Sequence, residues 1–122
     1  MTDTFIEDDS GNQPAALEKG KCVPCQVGAE PLAGWAVEKL LGRLAEGWRL
    51  VEQHHIEKEY KFKNFRLALD FVNRIGELAE AEGHHPDIYL AWGKVQVKLW
   101  THKINGLHNN DFIMAAKIDR LQ

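Results

Sequence analysis

The residues best suited to chemistry in this chain are histidines. The stretch "GHHPDIYLAWGKVQVKLWTHKINGL" sets His84 and His85 side by side, then runs through an apolar segment to His102. Imidazole titrates near neutrality, so it can both accept and donate protons at working pH. Two imidazoles across a small pocket can act as base and acid, each contributing about 10²–10⁴-fold within hydrogen-bond reach. Trp100 beside them suits stacking on a flat ring. Three histidines could also hold zinc with one open position. Adjacent His84 and His85 suit that poorly, because successive side chains point apart in extended chain. The pattern H-E-x-x-H is absent as well, so no metal is expected here. On spacing alone a third reading stands beside these: His84 caps a helix end and the other two are incidental. There is no Gly-rich phosphate loop and no nucleophile elbow.

The two cysteines, Cys22 and Cys25 in "KCVPCQ", form the other reactive pair. In a reducing compartment a stable disulfide is not expected. With no flanking helix or strand signal and no second pair, they read first as plain reduced thiols. Half a metal site or a redox pair are the alternatives.

If the histidines share a pocket, the chain between them must fold back. Fully extended, it would hold His84 and His102 roughly 60 Å apart at about 3.3 Å per residue. Gly93-Lys94 suits a two-residue type II′ turn, with glycine first. That register pairs Trp92 with Val95, Leu90 with Val97, Ile88 with Leu99, and His85 with His102. All six apolar partners then share one face, which a one-residue slip would break.

The flanking elements follow from periodicity and caps. A first helix is expected from Pro31 to Gly47, with Trp35, Leu40, Leu41 and Leu44 as its apolar stripe. "WRLVEQ" and "IEKEYKFK" read as a hairpin around His54 and His55, pairing Trp48 with Phe62, Leu50 with Tyr60 and Glu52 with Lys58. His54 and His55 are then exposed loop residues. Asn64 caps a second helix carrying Phe65, Ala68, Leu69, Val72, Ile75, Leu78 and Ala79 inward, and Gly83 ends it at C′. A last helix starts near Asn109 with Asp111 in its first turn and Phe112, Ile113, Ala116 and Leu121 buried. The order α-β-β-α-β-β-α predicts an α+β two-layer domain: a four-stranded antiparallel sheet with three helices on one face.

The chain has 122 residues, 44% hydrophobic and 27% charged, with a formal net charge of -3. One ordinary globular domain is expected. The acidic balance argues against direct nucleic-acid binding by phosphate neutralisation. No apolar run approaches the roughly 20 residues that span a bilayer, and the N-terminus lacks a signal-peptide pattern. A cytoplasmic protein with no membrane association is expected. Residues 1–29 read as a flexible N-terminal segment carrying the C-x-x-C pair, and 30–122 as the folded domain.

"EAEGHHP", Trp92, "WTHKINGL" and Asp111 together resemble the pterin-4a-carbinolamine dehydratase family, over roughly residues 31–120. The resemblance implies the fold order above and a homodimer or homotetramer. It implies dehydration of 4a-hydroxytetrahydropterin to quinonoid dihydropterin, which recycles the cofactor of aromatic amino-acid hydroxylases, with pterin as substrate and no cofactor or metal. It implies that His84 and His102 are the paired acid and base, in an order left open, with His85 beside them. Gly83, Trp100, Thr101 and Lys103 would line the pterin ring, Asp111 would orient a histidine or water, and Glu80 would buttress the loop. A non-catalytic binding, assembly or transcriptional-cofactor protein on the same fold is the alternative.

Overall fold

The computed structural model describes residues 16–24 and 28–122. Cys25 and most of the expected lead-in lie outside the described residues. The elements are α1 (Gly34–Leu41), β1 (Arg49–Val51), β2 (His55–Lys61), α2 (Phe65–Glu82), β3 (Asp87–Ala91), β4 (Lys94–Leu99) and α3 (Asn109–Asp119). Short 3₁₀ turns at Leu17–Lys19 and His102–Ile104 complete them. The strands form one antiparallel sheet in the order β1-β2-β4-β3. This is the expected α+β architecture.

One sheet face is apolar because alternate residues point the same way. Ile56 and Tyr60 of β2 lie opposite Leu99 and Val95 of β4, and all four are buried. Ala68, Phe71, Ile75 and Ala79 of α2 and Phe112, Met114, Ala115 and Ile118 of α3 close over them, and α1 adds Val37. Lys58 also points inward, which would be costly unpaired. Its Nζ lies 2.8 Å from Asp119 Oδ1, which also accepts from the Tyr60 hydroxyl at 2.6 Å, while Asp119 Oδ2 accepts from Trp48 Nε1 at 3.0 Å. One carboxylate at the end of α3 thus anchors three groups of the first hairpin. Burial and that bond push the Tyr60 phenol well above its ordinary range.

Helix α2 starts and stops where its caps predict. Asn64 accepts from the Leu67 amide at 2.9 Å, and Gly83 takes the left-handed conformation at φ 68. The amides of Gly83 and His84 both donate to the Ala79 carbonyl, at 2.9 and 3.3 Å. Phe71, which the expected stripe omitted, is the helix's largest buried residue.

Both hairpins differ in register from the expectation. In the second, Ala91 pairs with Lys94, Leu90 with Val95 and Ile88 with Val97, so Trp92-Gly93 is the turn. The slip is two residues, so the apolar set keeps its face, but Trp92 leaves it and is 69% exposed. Gly93 is not used for positive φ. A Cβ there would sit 2.8 Å from the Phe62 carbonyl oxygen, and the Phe62 amide donates to the Gly93 carbonyl at 2.7 Å. Glycine lets the turn approach the neighbouring strand closely.

In the first hairpin Arg49 pairs with Glu57, Leu50 with Ile56 and Val51 with His55. Glu52 and Gln53 both take positive φ, and the His54 amide donates to the Val51 carbonyl at 2.9 Å. This tight turn removes the expected Glu52–Lys58 pair, and an Arg49–Glu57 ion pair stands across the strands instead. Helix α1 is shorter than expected. The Leu32 amide is committed to the Leu107 carbonyl at 2.9 Å, so the backbone turns helical only from Gly34. Trp35 then faces outward at 75% exposure. In α3 only Phe112 of the expected four is fully buried; Ile113, Ala116 and Leu121 are half-buried.

Candidate active site

The stop at Gly83 aims His84 and His85 away from the end of α2, and the end of β4 delivers Trp100, Thr101 and His102 beside them. All three histidines line one cavity of about 380 Å³, with Gly83, Trp100, Thr101 and Lys103. The slipped register does not set His85 opposite His102 in the ladder, since β3 begins only at Asp87 and β4 ends at Leu99. The two ends of the hairpin nevertheless converge on this space.

Asp111 lies behind the cavity wall and is fully buried. Its Oδ1 is 2.6 Å from His84 Nε2. Its Oδ2 accepts from the Thr101 hydroxyl at 2.8 Å and from the His108 amide at 3.0 Å. That last bond and the Asn110 amide's bond to His108 Nδ1 at 3.1 Å close a capping box at the start of α3. An ionised carboxylate only accepts, so His84 Nε2 must carry the hydrogen. In the neutral ring the free lone pair is then on Nδ1. Glu80 is outside the cavity lining, and its carboxylate holds His85 Nε2 at 2.6 Å on the exposed side.

Trp100 and His102 are in edge contact, with centroids 4.0 Å apart. Trp100 also meets His54, with centroids 4.3 Å apart, and its Nε1 donates to Asp87 Oδ2 at 3.2 Å. His54 is therefore no free loop residue. It is half-buried and its Nε2 lies 3.0 Å from Asn105 Oδ1, at the end of the turn that carries His102. The tight β1–β2 turn places it there, and the register expected from the sequence hid it.

Nothing in the sequence signalled that residues 22–24 reach this cavity. Cys22, Val23 and Pro24 form part of its wall. The Cys22 amide donates to Glu82 Oε1 at 3.0 Å. That bond holds the Glu82 carboxyl below its usual range, and Lys117 Nζ lies 3.5 Å away from the same carboxylate. Burial, with Glu82 nearby, pushes the Cys22 thiol up to about 12. Among the described residues no group of three or more His, Cys, Asp or Glu is arranged to hold a metal ion.

The family description "Pterin 4 alpha carbinolamine dehydratase" matches residues 30–121. The chain belongs to that family. A protein of Alkaliphilus metalliredigens is 50% identical over 106 residues, covering 87% of this chain and 96% of its own. One of Rubrobacter xylanophilus is 51% identical over 105 residues, 86% of this chain and 97% of its own. Both carry the provisional name pterin-4-alpha-carbinolamine dehydratase. Among solved structures, a transcriptional coactivator/pterin dehydratase from Brucella melitensis superposes with TM-score 0.71 at 32% identity, over 75% of this chain and 98% of that one. A pterin dehydratase-like RuBisCO assembly factor of the α-carboxysome shares the fold, with TM-score 0.55 at 22% identity over 62% of this chain and 89% of that one. Among the described residues no helix is long and apolar enough to cross a membrane.

Proposed function

We propose that this member of the pterin carbinolamine dehydratase family dehydrates 4a-hydroxytetrahydropterin by histidine acid–base catalysis. A base removes the N5 proton, the N5–C4a double bond forms, the C4a–oxygen bond breaks, and an acid protonates the departing hydroxyl to water. The reaction moves protons and no net electrons, so its balance requires no redox cofactor. The quinonoid dihydropterin produced is the form to be reduced for reuse by an aromatic amino-acid hydroxylase.

The observation that carries this reading is the pairing of His84 with fully buried Asp111 at a cavity that His102 also lines. A carboxylate behind an imidazole fixes its tautomer and stabilises the imidazolium that forms when it takes a proton. His84, with its free lone pair on Nδ1, is therefore assigned as base and His102 as acid. His85 contacts the substrate beside them, held by Glu80. Trp100, Thr101, Gly83 and Lys103 bound the space for the flat pterin ring.

The test is a dehydration assay on chemically generated 4a-hydroxytetrahydropterin. The protein is expected to accelerate dehydration above the buffer rate, and His84→Ala or His102→Ala to lower kcat by at least about tenfold without loss of fold. No acceleration, together with no heat of binding for a pterin analogue in calorimetry, would leave the binding or assembly reading instead.

A further inference from the structure

Residues 20–24 run as a strap across the first turn of α3 and the last turn of α2. Asn110 holds the strap by its side-chain amide. Its Oδ1 accepts from the Val23 amide at 3.0 Å and its Nδ2 donates to the Val23 carbonyl at 2.6 Å. This is the two-bond pairing that one strand residue offers another, supplied here by a side chain that is itself 2% exposed. The Cys22 amide is fixed by Glu82, and its thiol faces the Asn110 carbonyl at 3.7 Å. Gly20 packs so closely on Ile113 that a Cβ would come within 3.2 Å of it.

Both backbone polar groups of Val23 are therefore satisfied by Asn110, and the residue remains 55% exposed on the cavity wall beside Pro24. An apolar side chain held outward on an ordered backbone is what a ligand pocket uses to cover a flat apolar surface. Asn110 and Asp111 are sequence neighbours on one capped turn. One clamps the strap, and the other holds His84. The strap and His84 are thus positioned from the same rigid turn.

We propose that the Cys22–Pro24 strap is a substrate-facing wall of the pterin site, that Val23 determines how tightly the pterin is held, and that Asn110 is the residue positioning it. This rests on the dehydratase reading of the same cavity. The wall lies outside the stretch matched by the family description, which begins at residue 30. A match covering 106 of the 122 residues, as with the Alkaliphilus relative, necessarily includes residues 20–24. The strap thus belongs to the region this chain shares with such relatives as well as to its own fold. With its thiol held protonated, Cys22 gives the wall a neutral surface and no nucleophile.

The experiment compares the full-length protein with Val23→Asp, Val23→Trp and Asn110→Asp in the dehydration assay on 4a-hydroxytetrahydropterin. Val23 is exposed, so its variants do not challenge folding. Asn110→Asp keeps the acceptor, loses the donor, and sets a carboxylate against the Val23 carbonyl. All three are expected to raise KM at least about fivefold with kcat within about twofold, the pattern for lost uniform binding. Unchanged KM in both Val23 variants overturns the proposal and leaves the dehydratase reading in place. A fall in kcat with unchanged KM in Asn110→Asp assigns Asn110 to α3 and His84 instead, and overturns its role as the strap's clamp. No turnover by the unaltered protein overturns both readings together.

Discussion

At the scale of single residues, the two oxygens of Asp111 have different duties, and that difference makes a sharp prediction. Among the described residues Oδ2 serves Thr101 and His108, and Oδ1 serves His84 alone. In Asp111→Asn the amide oxygen must take the Oδ2 place, because both donors there need an acceptor. The amide NH₂ then faces His84 Nε2, which must become an acceptor, so the neutral ring carries its hydrogen on Nδ1 and loses the lone pair that would take a proton. Turnover is expected to fall about 10²–10⁴-fold, with a stability loss of only about 1–3 kcal/mol. Steady-state kinetics alongside a urea melt checks this; wild-type kcat in the variant would contradict His84 as base. Of these relations, the sequence carried the histidines themselves and Asp111 in the first turn of α3. It did not carry which oxygen meets which donor, nor Asn110 and His54, because each acts through a partner remote in the chain. Asn110 reaches Val23, and His54 reaches Trp100 and Asn105.

At the scale of elements, one glycine precedes the paired histidines, another sits at the turn between them and His102, and the two act by different physics. Gly83 is left-handed, and among the described residues an added Cβ would meet nothing within 4 Å, so Gly83→Ala costs about 1–2 kcal/mol of backbone strain alone. Gly93→Ala instead drives a Cβ into the Phe62 carbonyl. The turn must shift off β2, and a loss of about 1–3 kcal/mol is expected. The Phe62–Gly93 hydrogen bond should be disrupted too, which amide exchange at Phe62 would report. Full protection of that amide in Gly93→Ala would show that the close approach is not needed. This explains why local turn chemistry misplaced the turn by one position: the constraint on Gly93 comes from a strand in the other hairpin, and no two-residue rule contains it. The alternation rule still kept the apolar face, because a slip of two residues preserves it. The strap has a pH dependence of its own. The Glu82 carboxyl is held below its ordinary 4.5 chiefly by the Cys22 amide. Its contribution is therefore full above that value and is lost as pH falls through the lowered one. Exchange protection of the Cys22 amide, corrected for intrinsic rates, is expected to be constant from pH 7 to 5 and to drop below 4.5. A drop already between pH 7 and 5 would assign strap docking to another group.

At the scale of the whole molecule, α3 ties together stability and site. Its last turn carries Asp119, which gathers Trp48, Lys58 and Tyr60 of the first hairpin. Its first turn carries Asn110 and Asp111, which hold the strap and His84. At 1.5 Å per residue these residues lie about 13 Å apart on one rigid rod. The layered α+β plan was legible because period-two and period-3.6 patterns, Asn64 and Gly83 all agreed. The shared cavity was legible in outline, because the apolar run between the histidines can bury its face only by doubling back. The wall at residues 22–24 was not, because a stretch without periodicity gives no hint of what it docks against. The central claim is that two imidazoles from distant positions act on one substrate in one step. A double-mutant cycle on kcat/KM with His84→Ala, His102→Ala and the pair tests it most directly. The account predicts that the double variant loses no more than about twofold beyond the worse single, since groups acting as a unit are strongly non-additive. Losses that multiply, or unaltered turnover in either single variant, would contradict it.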